Sequence, residues 1–312
     1  MIINAVYCKT KLNIKVKFGK FNTGFLKEVS IYSFWIFLNV IVDRIYWNTG
    51  QFILGMVRGA VAISIYALAI QLVHIYMSFS TAISGVLLPK ITAMVIKSNN
   101  EKEVSNLFIK TSRLQYILIG FILSGFILFG KPFIVLWAGE EYADTYLISL
   151  LLFVSLSIPL VQNIGITILQ AKNQMEFRAI LYIIVSIFSL FLSYYLAKKY
   201  GGIGCAIGTS IALVIGQIII MNIYYYKKIH LDIPAFWNNI IRMSIVPAVL
   251  CVIFYPILAK AQFLTNSFLS LSVTIIIFSL LYAVIYWITS LNEYEKGLLT
   301  KPLRKLYYDK SR

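Results

Sequence analysis

Residues 29–58 read VSIYSFWIFLNVIVDRIYWNTGQFILGMVR, an apolar run of membrane-spanning length with an acid and a base, Asp43 and Arg44, side by side near its middle. An ionised side chain at the centre of a membrane helix costs roughly 2.5 to 3.5 kcal/mol on insertion scales, so such groups face other helices or a water-filled space. In a helix, Arg44, Asn48, Gln51, Gly55 and Arg58 follow at steps of three and four and stack into one polar stripe. Asn39 and Asp43 form a second line about 100° round the same helix. The stretch therefore predicts a helix lining an aqueous cavity inside a bundle. The competing reading is that Asp43 and Arg44 pair only with each other or with neighbouring helices and lock the packing.

The rest of the chain sets that helix in a bilayer. Of 312 residues, 60% are hydrophobic and 13% charged, with mean hydropathy +0.82. A water-soluble domain carries about 25% charged residues. The net charge of +16 suits nucleic acid only if it is gathered in a compact basic domain. Here the lysines lie in short segments between apolar runs, which excludes nucleic acid as the expected partner. Cys8, Cys205 and Cys251 match no zinc or redox spacing.

Eight segments are long enough to span, at about 29–54, 61–87, 114–136, 145–170, 178–197, 203–226, 241–260 and 267–290. Continuous apolar runs without alternation predict helices rather than barrel strands. On one side of these spans, the intervening segments and both ends hold 22 of the 28 Lys and Arg residues, against five on the other. The positive-inside rule then puts both termini in the cytoplasm. The expected layout is a basic linker over residues 1–28, six spans over 29–226, two more over 227–290 and a basic tail over 291–312. Residues 97–113 (KSNNEKEVSNLFIKTSR) suit a short amphipathic helix on the inner surface, with Pro89 ending the helix before it.

Other segments carry their own signals. Gln71, His74, Ser78, Thr81 and Gly85 form a polar face on the second helix, able to share a space with the first stripe. His74 there is either a titrating or anion-binding group or a neutral core histidine. Pro159, followed by Gln162, Asn163, Gly165 and Thr167, predicts a kink in the fourth helix with freed backbone groups, either a hinge or a packing feature. Gly204, Gly208, Ala212 and Gly216, each four apart, predict close helix packing. No HExxH, CxxC, nucleophile elbow or phosphate loop is present, so neither metal nor cofactor is expected and the chain does not read as an enzyme.

Taken in order, DRIYWNTGQFILG (43–55), IYALA (65–69), LLPKIT (87–92), LWAGEEY (136–142), LQAKNQ (169–174) and YGGIGCAIGT (200–209) resemble the second lobe of lipid-linked oligosaccharide flippases. These flippases form the polysaccharide transport family of the multidrug/oligosaccharidyl-lipid/polysaccharide exporter superfamily. The resemblance implies an all-α polytopic membrane protein of the bacterial cytoplasmic membrane: the second lobe of a two-lobe bundle, plus two extra helices. It implies transport of an undecaprenyl-pyrophosphate-linked repeat unit between leaflets for surface polysaccharide such as O-antigen or capsule. A first lobe, glycan polymerase machinery and membrane lipids would be partners, and the family pattern reads this chain as the later part of a longer protein. The residues assigned to the cargo are Asp43, Arg44, Asn48, Gln51, Arg58, Gln71, His74, Gln162 and Asn163. The alternatives are a multidrug or peptidoglycan-precursor exporter of the same superfamily, a membrane glycan polymerase or ligase using Glu140 or Glu141, and a nonfunctional fragment.

Overall fold

The computed structural model describes residues 23–97, 100–298 and 300. Of the basic linker and tail read from the sequence, residues 1–22 and 301–312 lie outside that range. The described elements are α1 (Thr23–Val57), α2 (Ala60–Lys97), α3 (Glu101–Ala138), a 3-10 turn (Glu140–Tyr142), α4 (Asp144–Val161), α5 (Asn163–Ala171) and α6 (Met175–Leu213). After a π-helical stretch (Val214–Ile220) come α7 (Met221–Lys227), α8 (Ile233–Lys260), a second 3-10 turn (Gln262–Leu264) and α9 (Phe268–Thr289). The fold is all-α, and seven helical segments among the described residues are long and apolar enough to cross a membrane.

One of those seven runs from Met175 to Lys227, 53 residues. At 1.5 Å per residue it would reach about 80 Å if straight, far beyond a hydrocarbon core of about 30 Å. It folds back on itself instead. Gly201 sits at φ 60°, ψ −137°, a conformation open to a residue without Cβ, and breaks the helix into two arms. The arms pack antiparallel: Ser193 donates to the Cys205 carbonyl at 3.1 Å, and a Cβ on Gly208 would lie 2.7 Å from the Ser193 backbone. Further down, a Cβ on Gly216 would run into Val185. The row of small residues thus serves the hairpin, and the two arms account for two of the eight segments read from the sequence.

The first arm of this hairpin runs alongside α1 in constant register. Asn39 with Arg178, Asp43 with Tyr182, and Arg58 with Ala197 are hydrogen-bonded pairs, each separated by 139 residues. A constant separation means parallel strands of chain, both rising from the same side. α8 packs along α3, and α9 lies against both. The outer surface of α9 exposes Leu269, Val273, Ile276, Leu280 and Ile288, the apolar face a bilayer solvates.

Two boundaries differ from the sequence expectation. Residues 101–113 do not form a separate surface helix; they are the first turns of α3, a continuous helix of 38 residues started by the Asn100 cap. Their apolar face is buried in the protein, with Phe108 fully covered and its ring 5.5 Å from that of Phe236. A protein groove competes better for that face than a lipid surface does. Pro89 does not end α2, which continues to Lys97. The residue four before it is Gly85, with open space around it, so the turn that a proline crowds can adjust there.

Candidate functional site

Towards the end marked by the turn between α1 and α2, helices α1, α2 and α6 close tightly. Tyr46 donates to the Thr209 carbonyl at 3.0 Å, and Gly50 lets the Tyr66 ring approach to where a Cβ would be only 2.5 Å away. Below Asn39 the pattern ends: every residue of α1 from Thr23 to Leu38 is exposed or half-buried. Between these regions the wall opens into a cavity of about 440 Å³.

Its lining comes from six stretches of chain. α1 supplies Asn39, Asp43, Arg44 and Trp47, and α2 supplies His74. The α4–α5 junction supplies Pro159, Gln162 and Asn163. Arg178 and Tyr182 of α6, Gln217 of the π-helical stretch and Tyr225 of α7 close the far side. Two of these stretches depart from α-helical backbone. α4 stops at Val161 and α5 starts at Asn163, with Gln162 between them at φ −90°, ψ 11°. Irregular backbone at membrane depth is tolerated where protein or water covers it, and π-helical turns gather at functional sites. The two irregular stretches are tied together, because Gln162 Nε2 donates to Asn222 Oδ1 at 2.6 Å while Asn222 donates to the Ile218 carbonyl. On the α2 side, Asn163 donates to Ser84 Oγ at 3.1 Å, and Ser80 satisfies the Leu160 carbonyl at 2.7 Å.

The charges are arranged unevenly. Asp43 Oδ1 accepts from Trp47 Nε1 and from the Tyr182 hydroxyl, both at 3.2 Å. Asp43 and Arg44 do not pair, and Arg44, exposed, has no ion-pair partner among the described residues. The two do not pair with each other because neighbours in a helix point about 100° apart, while Asp43 does meet the neighbouring helix α6, as the competing reading allowed. His74 meets the Trp47 ring edge-on, 6.1 Å between centroids. Arg178 donates through Nη1 to Asn39 Oδ1 at 2.7 Å, and its guanidinium carbon lies 5.1 Å from the Tyr182 ring centroid. The lining therefore carries two guanidinium groups against one carboxylate.

Of the residues singled out from the sequence, Asp43, Arg44, His74, Gln162, Asn163 and Pro159 come together here. Asn48 and Gln51 do not. They line a separate groove of about 560 Å³ that shares Arg44, and Asn48 donates to the Arg44 carbonyl of its own helix. Gln71 is exposed on α2 and borders neither space. Arg58 lies just past the end of α1, capping the first arm of the hairpin through the carbonyls of Ala197, Lys198 and Lys199. Fourteen residues of helix put it about 21 Å from Arg44. The cavity thus faces the Asn39–Asp43 line more than the longer stripe, and Arg44 alone belongs to both.

Sequence reasoning missed Arg178, which it had counted among the basic residues of an inner loop, and Gln217. Arg178 Nε and Gln217 Nε2 are buried donors with no hydrogen-bond partner. A buried polar atom left unpaired costs about 1–3 kcal/mol, and native proteins keep few. No local spacing marks either residue; the signal is the separation of 139 residues that sets Arg178 beside Asn39. No group of three His, Cys, Asp or Glu side chains able to hold a metal occurs among the described residues.

Fold and cavity together define a class: a polytopic helical membrane protein with a charged cavity open on one face of its bundle. Comparison with known proteins places it more narrowly. A family model described as "Polysaccharide biosynthesis protein" matches residues 1–147. A Shigella flexneri protein named "Putative O-antigen transporter" is 21% identical over 229 residues, 72% of this chain and 52% of that protein. The chain spans about half the length of this curated relative. No solved structure matches. The two matches agree with the likeness carried by the motifs: the chain is similar to proteins of polysaccharide biosynthesis and O-antigen transport.

Proposed function

We propose that the chain takes part in moving an undecaprenyl-pyrophosphate-linked oligosaccharide repeat unit from the inner to the outer leaflet of the bacterial cytoplasmic membrane, by alternating access, with both termini cytoplasmic. The observation that carries this reading is the cavity: two arginines, an acid and side-chain amides gathered inside a bundle whose outer faces are apolar. A diphosphate and a sugar chain cannot cross about 30 Å of hydrocarbon unaided. A polar chamber lowers that barrier while the polyprenyl tail stays in lipid. Arg44, unpaired and exposed, is the group assigned to the diphosphate, and Gln162 and Asn163 supply amides to sugar hydroxyls. Asp43, held by Trp47 and Tyr182, shapes the wall or couples an ion.

Arg44, Asn48, Gln71, His74, Ser78 and Thr81 are all exposed on α1 and α2. Polar groups on membrane helices avoid lipid, so we assign this face to a second wall around the cargo, the place a first lobe would take. A multidrug exporter with Asp43 as its cation ligand fits less well, because the lining has more guanidinium groups than carboxylates.

The test is Arg44→Ala in the complete transport system. Surface glycan should fall at least tenfold at equal protein level, with thermal stability unchanged because Arg44 has no partner to lose. Unchanged glycan would remove the assignment.

A further inference from the structure

We infer that Arg178 forms an oxyanion subsite at the mouth of the cavity, one that receives a lipid-borne phosphate before the headgroup passes inward to Gln217 and Arg44. The inference rests on the transport reading above and adds an entry point to it.

The first support is the pair of orphan donors. Among the described residues, six buried side-chain N or O atoms lack a partner, and four of them are Ser or Tyr hydroxyls away from the cavity. The other two, Arg178 Nε and Gln217 Nε2, are N–H donors on side chains that line it. Gln217 is only 9% exposed. Both side chains border the cavity and each keeps a covered donor without a protein acceptor, which a small side-chain shift toward an acceptor-rich occupant would satisfy.

The second support is charge. Arg178 has no carboxylate partner: the ion pairs of the described residues are made elsewhere, and Oδ1 of the nearby Asp43 is occupied by Trp47 and Tyr182. Its guanidinium is nevertheless held in place, by Asn39 Oδ1 at one end and the face of Tyr182 at the other. A fixed, planar, uncompensated guanidinium with free N–H groups matches phosphate oxygens in both charge and shape.

Depth is the third. Arg178 lies 23 residues before the turn at Gly201, about 34 Å along the helix, the thickness of a hydrocarbon core. It therefore stands at the headgroup level of the side opposite that turn. By the constant register of α1 with α6, Arg44 is level with Ile183, about 7 Å deeper. Gln217 follows Gly216, which packs on Val185, and so belongs to that deeper level too. The donors form a path from the interface inward. Beside it, Ile36 and Val40 give the cavity apolar lining, Val40 being 54% exposed, a surface suited to an acyl or prenyl chain.

The experiment uses the full chain in lipid nanodiscs, with geranylgeranyl diphosphate as probe and geranylgeraniol and inorganic pyrophosphate as comparisons. Wild type should bind the diphosphate lipid at least tenfold tighter than the alcohol. Arg178→Gln should weaken the diphosphate lipid tenfold or more without changing the alcohol, Gln217→Met should weaken it about threefold, and Arg178→Lys should recover part of the loss. A thermal melt of each variant separates folding from binding. Unaltered binding in Arg178→Gln, or no preference for the diphosphate in wild type, would overturn the subsite. Inorganic pyrophosphate binding as well as the lipid would overturn its lipid-borne character. The transport reading stands or falls separately, on the glycan exported by Arg44→Ala.

Discussion

Arg113 and Arg178 are both largely covered guanidinium groups, and their surroundings could hardly differ more. Arg113 of α3 meets both carboxylate oxygens of Glu295, at 2.6 and 3.0 Å, and also Asn239 Oδ1 of α8 and the Ser290 carbonyl at the end of α9. Glu295 is 2% exposed and also accepts from the Asn292 backbone. Every element at that junction is tied to one cation, and no room is left for a ligand. Arg178 meets one neutral oxygen and an aromatic face, keeps an unpaired Nε, and borders a cavity. A guanidinium whose donors are used by the protein builds structure. One whose donors are held ready but unused is available for binding.

That contrast can be broken at either end, beginning with the larger effect. Arg113→Ala leaves Glu295 buried without its counter-charge and should cost about 3–5 kcal/mol, read as a lowered melting temperature in detergent. An unchanged melt would show that the junction is not what holds α8 and α9 to α3. Arg58→Ala removes three bonds to carbonyls at an exposed hairpin end, so about 1 kcal/mol is expected from the same melt. Arg178→Gln loses the bond to Asn39 and the Tyr182 face but also removes an unpaired buried donor, so no more than about 1 kcal/mol is expected. Its loss should appear in diphosphate binding instead. A collapse on the scale of Arg113→Ala would make Arg178 a structural residue like its counterpart.

The sequence carries the membrane class openly, because spans are written as local runs of apolar residues. It also carries the hairpin, since Gly204, Gly208, Ala212 and Gly216 mark one face of one helix. Asp43 and Arg44 stand out because charge is rare there. What could not be read locally is which line of α1 faces the cavity. Periodicity puts Arg44, Asn48, Gln51 and Arg58 on a stripe, but the packing partner decides what each part of a stripe sees. Arg58 finds three carbonyls and becomes a cap. Arg178 shows the converse: by position it looks like one more basic residue at the cytoplasmic edge, and only its alignment with Asn39 turns it into a wall of the chamber. Pro89 and residues 101–113 misled for a related reason, since tertiary packing extended two helices through signals that usually end them.

The central claim is that water and a polar headgroup can enter this chamber from one face of the membrane. The direct measurement replaces Cys8, Cys205 and Cys251 by Ala, introduces His74→Cys, and follows labelling by a charged thiol reagent that does not cross bilayers. The account predicts labelling from the side that holds Arg178, slowed by geranylgeranyl diphosphate, with a cysteine at the outward-facing Ile276 remaining unlabelled. A His74→Cys chain that folds normally yet reacts from neither side would contradict it.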